Sequence, residues 1–390
     1  MINRAQFTDD GFPVKGINDY TDGFLPKKGW TMGTNHHAVP GTYEPAIDGL
    51  RFFAFMLVFI HHAPLLANIA GAAWLKAYGW VGVDLFFTLS AYLLFRNLIR
   101  EDEKSRAIDV PNFLARRLLR VFPLLLLYVG SMLLLFDPGS PDWPLRLAGT
   151  LLFFDNVVAW FHGYNGAVVA TAHLWTLSFE FQFYVLLPLI FMGYKVAGKR
   201  RFLTASLLIC LAAALARHVL YQFGVGHPVV YVTPFMRPEA IIAGIAVAIY
   251  KSPRSCGWSA AASIFAGGAA FTLPLAWQDP IAAVVQYPLI AIAFAGLLDL
   301  ALRWEKLRVA LSAKPIVYLG TISYGLYVFH FGVRHILRLI NKEFGLSLSA
   351  VPFALTMLAL SVFLASLSYR FVEKPFLRWK LKLHSKALTN

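Results

Sequence analysis

The chain has 390 residues, of which 58% are hydrophobic and 14% are charged, and its formal net charge is +14. Soluble domains carry about 25% charged residues, so this composition excludes an ordinary water-soluble fold and favours a single helical bundle in lipid. The Lys and Arg residues lie in short loops between apolar runs, not in a stripe with aromatic residues, which is typical of membrane topology signals and argues against nucleic-acid binding.

The two ends of the chain are polar. Residues 1–46 contain no apolar h-region, so we expect a cytoplasmic N-terminal extension and no cleaved signal peptide. A transmembrane domain over residues 47–376 and a basic cytoplasmic tail over 377–390 would follow. The chain has two cysteines, Cys210 and Cys256, without metal-ligand spacing, so neither a disulfide framework nor a zinc site is expected.

Ten apolar runs approach the roughly 20 residues that a helix needs to cross the hydrocarbon core. We therefore predict an all-α polytopic bundle of about ten transmembrane helices with both termini cytoplasmic. The runs cover residues 47–68, 79–97, 118–136, 174–194, 202–222, 233–250, 258–276, 283–302, 316–339 and 350–371. An eleventh stretch, 146–160, is broken by Asp155 and Asn156 and is expected to be re-entrant or interfacial. If it spanned, the later basic clusters would lie outside, against the positive-inside rule.

Ionisable groups are costly in lipid, so those of the first two spans are candidates for function. Arg51 and His62 are eleven residues apart, which returns them to nearly the same helical face, with His62 about 16 Å deeper. The second span buries Asp84, which needs a partner or a proton. Simpler interpretations remain: an ion pair of Arg51 with Asp48, and structural roles for His62 and Asp84.

The third and fourth spans add basic and acidic groups. Arg117 and Arg120 lie three residues apart on one face at the cytoplasmic end of the third span. Their guanidinium groups suit phosphate, although each would also fit as a topology anchor. Glu180 of the fourth span shares a face with His173, which predicts a polar cluster in the bundle.

Later spans contribute Tyr324, Tyr327 and His330, which fall three residues apart on one face. Further polar residues of the later spans are Arg237, Glu239 and Glu373. Each is more simply structural than catalytic when taken alone. Together they bring imidazole, carboxylate and guanidinium groups into several spans of one bundle, which packing does not explain.

Seven segments in order, over about residues 46–376, resemble the acyltransferase-3 family of integral-membrane acyltransferases. Arg51 and His62 fit its first-span arrangement of a basic residue, ten intervening residues and a histidine. The other segments are GWVGVDLFFTLSAYLLF, FLARRLLRVFP, HLWTLSFEFQFYVLLP, FMRPEAIIAG, ISYGLYVFHF and FVEKP. Ala91 stands where the family usually has glycine, which suggests a slightly different helix contact. Phe181 stands where a second acidic residue is common, which puts in doubt a mechanism that needs two adjacent carboxylates.

The resemblance implies transfer of an acyl group, commonly acetyl, from cytoplasmic acyl-CoA to a hydroxyl. Family acceptors are commonly sugars of surface polysaccharide, lipopolysaccharide, peptidoglycan or glycolipid, and the implied location is the bacterial inner membrane. On this basis we expect a carbohydrate or glycolipid acceptor, acyl-CoA as donor substrate and no metal.

The resemblance also suggests roles for the candidate residues. We expect His62 to act as general base, on the acceptor hydroxyl or on a relayed acyl group, with Glu180 or, second, Asp84 as the carboxylate that orients it. A group of arginines would bind the phosphates of CoA: Arg51, Arg117 and Arg120. Direct transfer and a covalent intermediate both remain open.

Two alternatives belong to other classes. In a transporter or flippase of a lipid-linked sugar or proton-coupled solute, the buried His, Asp and Glu would form a proton relay. Inverted repeats would favour this alternative, and the sequence has none. Membrane-bound O-acyltransferases of another type also use an intramembrane histidine, but the ordered segments do not match their pattern.

Overall fold

The computed structural model describes residues 43–64, 73–105, 107–138, 140–250 and 256–378. Within these ranges the regular secondary structure is entirely helical, as predicted. The N-terminal extension predicted over 1–46 and the basic tail predicted over 377–390 lie almost wholly outside the described residues.

The α-helices of the described ranges follow one another along the chain with short connections. They are α1 (Pro45–His62), α2 (Ala73–Tyr78), α3 (Gly82–Ser105), α4 (Val110–Leu135), α5 (Trp143–Leu151), α6 (Asp155–His162), α7 (Trp175–Gln222), α8 (Val229–Val232), α9 (Glu239–Ile249), α10 (Cys256–Thr272), α11 (Pro280–Arg303), α12 (Glu305–Leu311), α13 (Lys314–Thr321), α14 (Ser323–Glu343) and α15 (Ala350–Ser368). Short 3-10 turns cover Gly79–Val81, Ala172–Leu174 and Pro234–Met236, and a π-helical turn covers Tyr369–Glu373.

Each predicted span overlaps a helix, but fewer helices meet the length and hydropathy required for a crossing. Among the described residues five do so, or six when α13 and α14, which meet at a 68° bend, count as one broken span. The five are Ala73–Ser105, Val110–Leu135, Ala172–Gln222, Pro280–Arg303 and Ala350–Arg378. The count of ten therefore stays a prediction.

Helix α7 is too long to be a single crossing. Its 48 residues would rise about 72 Å at 1.5 Å per residue, more than twice the roughly 30 Å thickness of the hydrocarbon core. Gly198 interrupts it with φ 74° and ψ 163°, a backbone conformation that residues other than glycine rarely adopt. The two parts of α7 coincide with the fourth and fifth predicted spans.

The stretch 146–160 forms two short helices, α5 and α6, of nine and eight residues. Side chains of α7 hold the turn between them. Gln182 Nε2 donates to the Phe153 carbonyl at 2.9 Å, and Asn156 Nδ2 donates to Gln182 Oε1 at 3.0 Å. Phe181 stacks on Phe153 with ring centroids 4.1 Å apart. Neither helix is long enough to span, and the segment is bound back onto α7.

Small residues allow the central helices to approach closely. Helix α1 packs against α3, α13 and α14, and a Cβ added to Gly82 would lie 2.3 Å from the Ala54 carbonyl oxygen of α1. Ala91 of α3 is fully buried against α9. A Cβ added to Gly244 of α9 would lie 3.0 Å from the Cβ of Ala91. At this contact the glycine is on α9, opposite Ala91.

Candidate active site

His62, at the C-terminal end of α1, faces His330 of α14. Its Nδ1 lies 3.0 Å from His330 Nε2, and His330 Nδ1 lies 2.6 Å from the Tyr327 carbonyl oxygen. Because a carbonyl can only accept, His330 Nδ1 carries a proton, and its Nε2 in the neutral ring accepts from His62 Nδ1. Nε2 of neutral His62 is then the nitrogen with a free lone pair, able to take up a proton.

His62 lines a cavity of about 150 Å³, here called the histidine cavity. Its walls include six large aromatic side chains: Trp80, Trp175, Trp277, Tyr164, Tyr231 and Tyr327. None of its lining residues is Asp, Glu, Lys or Arg. His173 Nδ1 and Trp80 Nε1 on its walls are buried without a hydrogen-bond partner among the described residues. Buried polar atoms are normally bonded, so these two are exceptions among the residues that line the cavity.

A second, smaller cavity of about 50 Å³ is lined by Arg51, Ser90, Glu180 and Tyr324 among others, and is here called the arginine cavity. It shares Val83, Thr176 and Tyr327 with the histidine cavity, and these three side chains are here called the divider.

The divider is held by hydrogen bonds between α7 and α14. Thr176 Oγ1 donates to the Tyr327 hydroxyl at 2.9 Å, and this hydroxyl donates to the His173 carbonyl at 3.0 Å. The two cavities therefore adjoin each other at these three side chains.

Glu180 belongs to the arginine cavity. It accepts hydrogen bonds from Ser90 Oγ, at 2.6 Å, and from the Tyr184 hydroxyl. Among the described residues the hydrogen-bond partner of His62 is His330, and Glu180 lies beyond the divider. The structure thus separates His62, the predicted base, from Glu180, the carboxylate that was the first choice to orient it.

The three predicted phosphate ligands interact electrostatically with one another or with Glu180, and Arg51 is the one of them that lines the arginine cavity. Arg51 lies 3.8 Å from Asp48, which matches the simpler interpretation of an ion pair between these two residues. Arg51 also interacts electrostatically with Arg120 and Glu180. Arg117 interacts with the same two groups, and its Nε is buried without a hydrogen-bond partner. Such a concentration of positive charge, with donors left over, suits an anionic ligand larger than one carboxylate.

Asp84 forms a buried ion pair with Arg237. Both of its carboxylate oxygens accept from Arg237 Nη2, at 2.6 and 2.7 Å. The guanidinium carbon lies 4.4–5.4 Å from the ring centroids of Tyr287, Tyr231 and Trp80. Asp84 lines neither cavity. It holds Arg237, which packs against Trp80 and Tyr231 in the wall of the histidine cavity.

Sequence reasoning did not single out His330 as the partner of His62. The three-residue spacing of Tyr324, Tyr327 and His330 placed them on one helical face, but nothing in one sequence tells which span that face contacts. Among the described residues no group of three or more His, Cys, Asp or Glu could hold a metal ion.

A family model described as an acyltransferase domain, that of acyltransferase-3, matches residues 44–370. The chain belongs to the acyltransferase-3 family. Three similar relatives are O-acetyltransferase OatA of Staphylococcus aureus (strain NCTC 8325 / PS 47), peptidoglycan O-acetyltransferase OatA of Listeria monocytogenes and the putative peptidoglycan O-acetyltransferase YrhL of Bacillus subtilis.

These acyltransferase-3 relatives are 28%, 27% and 28% identical to the chain over 85%, 85% and 88% of its length. The matches cover 57%, 56% and 55% of the relatives, so the chain spans little more than half the length of the curated proteins it matches. No solved structure matches the chain.

Proposed function

We propose that this protein is a membrane-embedded O-acetyltransferase that moves an acetyl group from acetyl-CoA to a carbohydrate hydroxyl. The observation that carries the proposal is the contact of His62 Nδ1 with His330 Nε2, which orients His62 at the histidine cavity next to the cavity lined by Arg51. The family match and the names of the relatives support acetyl transfer, and two of those names support peptidoglycan as the type of acceptor.

The donor enters from the arginine side. Arg51, Arg117 and Arg120 bind the phosphates of CoA by charge-assisted hydrogen bonds. The narrow pantetheine arm then extends along the arginine cavity and past Thr176 and Tyr327 of the divider, which brings the thioester carbonyl to His62.

The acceptor occupies the histidine cavity. Aromatic walls suit the apolar faces of sugar rings, while His173 Nδ1 and Trp80 Nε1 are free to bond to ring substituents. Nε2 of His62 takes the proton of the acceptor hydroxyl while the hydroxyl oxygen attacks the thioester carbon. The C–S bond breaks, and the CoA thiolate receives that proton from His62. If a covalent acyl-enzyme forms first, the same base serves both half-reactions.

The topology follows from these roles. We infer ten spans over residues 47–376, with both termini cytoplasmic and the protein in a bacterial inner membrane. The length of α7, its interruption at Gly198 and the two short helices α5 and α6 support this count. The arginine cavity then opens toward the cytoplasm, where CoA is found, and the histidine cavity lies toward the outer face.

The function is tested with purified protein in detergent, labelled acetyl-CoA and a mixed pool of glycans and glycolipids, with products identified by mass. Label on a glycan hydroxyl supports O-acetyl transfer and names the acceptor. If no acetyl-CoA is consumed and CoA does not bind, the acyltransferase proposal fails, and the transporter or flippase takes its place.

Arg117→Ala and Arg120→Ala are each expected to raise the KM for acetyl-CoA about tenfold or more, with a smaller effect on kcat. The reason is that a hydrogen bond to a charged group contributes about 1.5–3 kcal/mol, and about 1.4 kcal/mol corresponds to tenfold in affinity. Steady-state kinetics with varied donor concentration measures the change.

Arg116→Ala is the matched control for these two variants, because Arg116 is the neighbouring arginine and pairs with Glu101 at 3.5 Å. It is expected to leave the KM for acetyl-CoA near the wild-type value. An unchanged KM in both Arg117→Ala and Arg120→Ala would contradict phosphate binding by these residues and favour the alternative that they are topology anchors.

His330 acts as a positioning residue, so its replacements are expected to differ according to whether they can accept a hydrogen bond. His330→Leu removes the acceptor of His62 Nδ1 and is expected to lower kcat about 10²-fold. His330→Gln can present its amide oxygen to that nitrogen and is expected to retain at least about tenfold more activity than His330→Leu. Equal losses in two variants of equal thermal stability would contradict the positioning role.

A further inference from the structure

The face of α14 that carries the active-site residues continues beyond His330. Tyr324 lines the arginine cavity, Tyr327 belongs to the divider and His330 holds His62. At steps of three or four residues the same face then presents Arg334 and Arg338. One turn of helix, about 6 Å for four residues, separates His330 from Arg334.

These arginines add to a local concentration of positive charge. Arg334 interacts electrostatically with His61 and His62, and Arg338 with Arg334. Lys76 of α2 also acts on His61, whose Nδ1 donates to the Lys76 carbonyl at 2.8 Å. Arg334, Arg338 and Lys76 are here called the α14 basic cluster.

No carboxylate among the described residues forms an ion pair with the α14 basic cluster. Asp137, which follows the Phe136 ring packed on His335, is exposed and pairs with neither arginine. Arg334 lies over the Phe331 ring at 5.3 Å, and its Nε is buried without a hydrogen-bond partner. The sequence of residues 65–72, between α1 and α2, contains no Asp or Glu.

Membrane topology does not account for these charges. In the proposed orientation the Arg334 end of α14 faces away from the cytoplasm, whereas topology-determining Lys and Arg concentrate on the cytoplasmic side. A half-buried guanidinium with an unused donor, one helical turn beyond His330, is better explained by an anionic ligand.

We propose that Arg334 and Arg338 bind an oxyanion, phosphate or carboxylate, carried by the acceptor glycan while its hydroxyl lies at His62. This inference rests on the proposed function for the nature of the acceptor. The uncharged lining of the histidine cavity takes a neutral sugar ring, and the α14 basic cluster holds the charged group one helical turn away. The acceptor is therefore an anionic glycan, and its charge sets which hydroxyl reaches Nε2 of His62.

The test compares binding of two probes that differ by one phosphate: tetra-N-acetylchitotetraose and its 1-phosphate. The full-length protein is placed in phosphatidylcholine nanodiscs with saturating CoA, which occupies the phosphate ligands of the donor site. The variants are Arg338→Gln, at an exposed position that folding tolerates, and the double variant Arg334→Gln/Arg338→Gln. The control is Arg200→Gln/Arg201→Gln, which removes two exposed arginines of α7.

Wild type and control are expected to bind the phosphorylated probe at least about tenfold more tightly than the neutral one, since a charge-assisted bond has about that effect. The preference should shrink in Arg338→Gln and vanish in the double variant. Equal or undetectable binding of both probes by wild type, or a preference that survives in the double variant, overturns the proposal.

An anionic lipid headgroup offers the same chemistry, so the measurement is repeated in discs that contain phosphatidylglycerol. If the double variant loses phosphatidylglycerol enrichment while no phosphate preference for the glycan is seen, the cluster is a lipid site and the acceptor proposal fails. None of these binding measurements requires turnover. Failure to consume acetyl-CoA, which would remove the proposed function, is therefore observed separately.

Discussion

His62→Ala is expected to lower the rate of acetyl transfer by about 10²–10⁴-fold, the usual contribution of a general base. The alanine removes the nitrogen to which the proposal assigns the hydroxyl proton, while His330 keeps its bond to the Tyr327 carbonyl at 2.6 Å. Binding of CoA should change little, because the phosphate ligands lie beyond the divider. The rate is measured with labelled acetyl-CoA and the acceptor that the transfer assay has identified.

His218→Ala is the matched control, since His218 lies on α7 and lines neither cavity. It should keep wild-type activity, and both variants should unfold at the wild-type temperature. A His62→Ala protein that retains more than about a tenth of the activity would exclude His62 as the essential base.

Asp84→Asn is expected to destabilise the protein by about 3–5 kcal/mol, because it leaves Arg237 charged and buried without a counter-ion. The thermal unfolding midpoint in detergent, followed by tryptophan fluorescence, should fall clearly. The double variant Asp84→Leu/Arg237→Met replaces the ion pair with apolar groups and should recover most of the loss, since such replacements are often neutral or stabilising.

The double variant also separates the two roles considered for Asp84. If the carboxylate only supports the aromatic wall through Arg237, a stable double variant should regain transfer activity. A stable but inactive double variant would instead favour direct participation of Asp84. As a control, Asp142→Asn breaks the exposed pair with His162 and should cost less than about 1 kcal/mol.

The helices were predictable because lipid requires long apolar runs, and each of the ten runs overlaps a helix. The 146–160 stretch forms two short helices that break at residues 152–154, and Asn156, one of the two polar residues expected to interrupt it, lies in α6 and bonds to Gln182. Its re-entrant or interfacial placement stays a prediction. The apolar runs alone do not give the number of crossings, because α1 and α10 are shorter or less apolar than a full span requires.

The sequence did not predict the pairings within the candidate site. Arg51 and Arg117 each interact electrostatically with Arg120 and Glu180, and the role of the three arginines as phosphate ligands stays a prediction. His62 and His330 are 268 residues apart, and Asp84 and Arg237 are 153 apart. These residues become partners because α1 packs on α14 and α3 packs on the segment before α9. The periodicity of a single sequence does not predict which helices pack together. Phe181 is a similar case, since its stacking on Phe153 became evident only in the fold.

The divider has a consequence for the energy metabolism of a cell that carries this protein. A chain of imidazoles and carboxylates that crossed the bilayer without interruption would conduct protons and dissipate the gradient on which the cell depends. Val83 contributes no exchangeable proton at the crossing point, and the hydroxyls of Thr176 and Tyr327 bond to one another and to a backbone carbonyl. With no imidazole or carboxylate among its three side chains, the divider interrupts, in the proposed orientation, any relay of such groups between the two cavities while the site is empty.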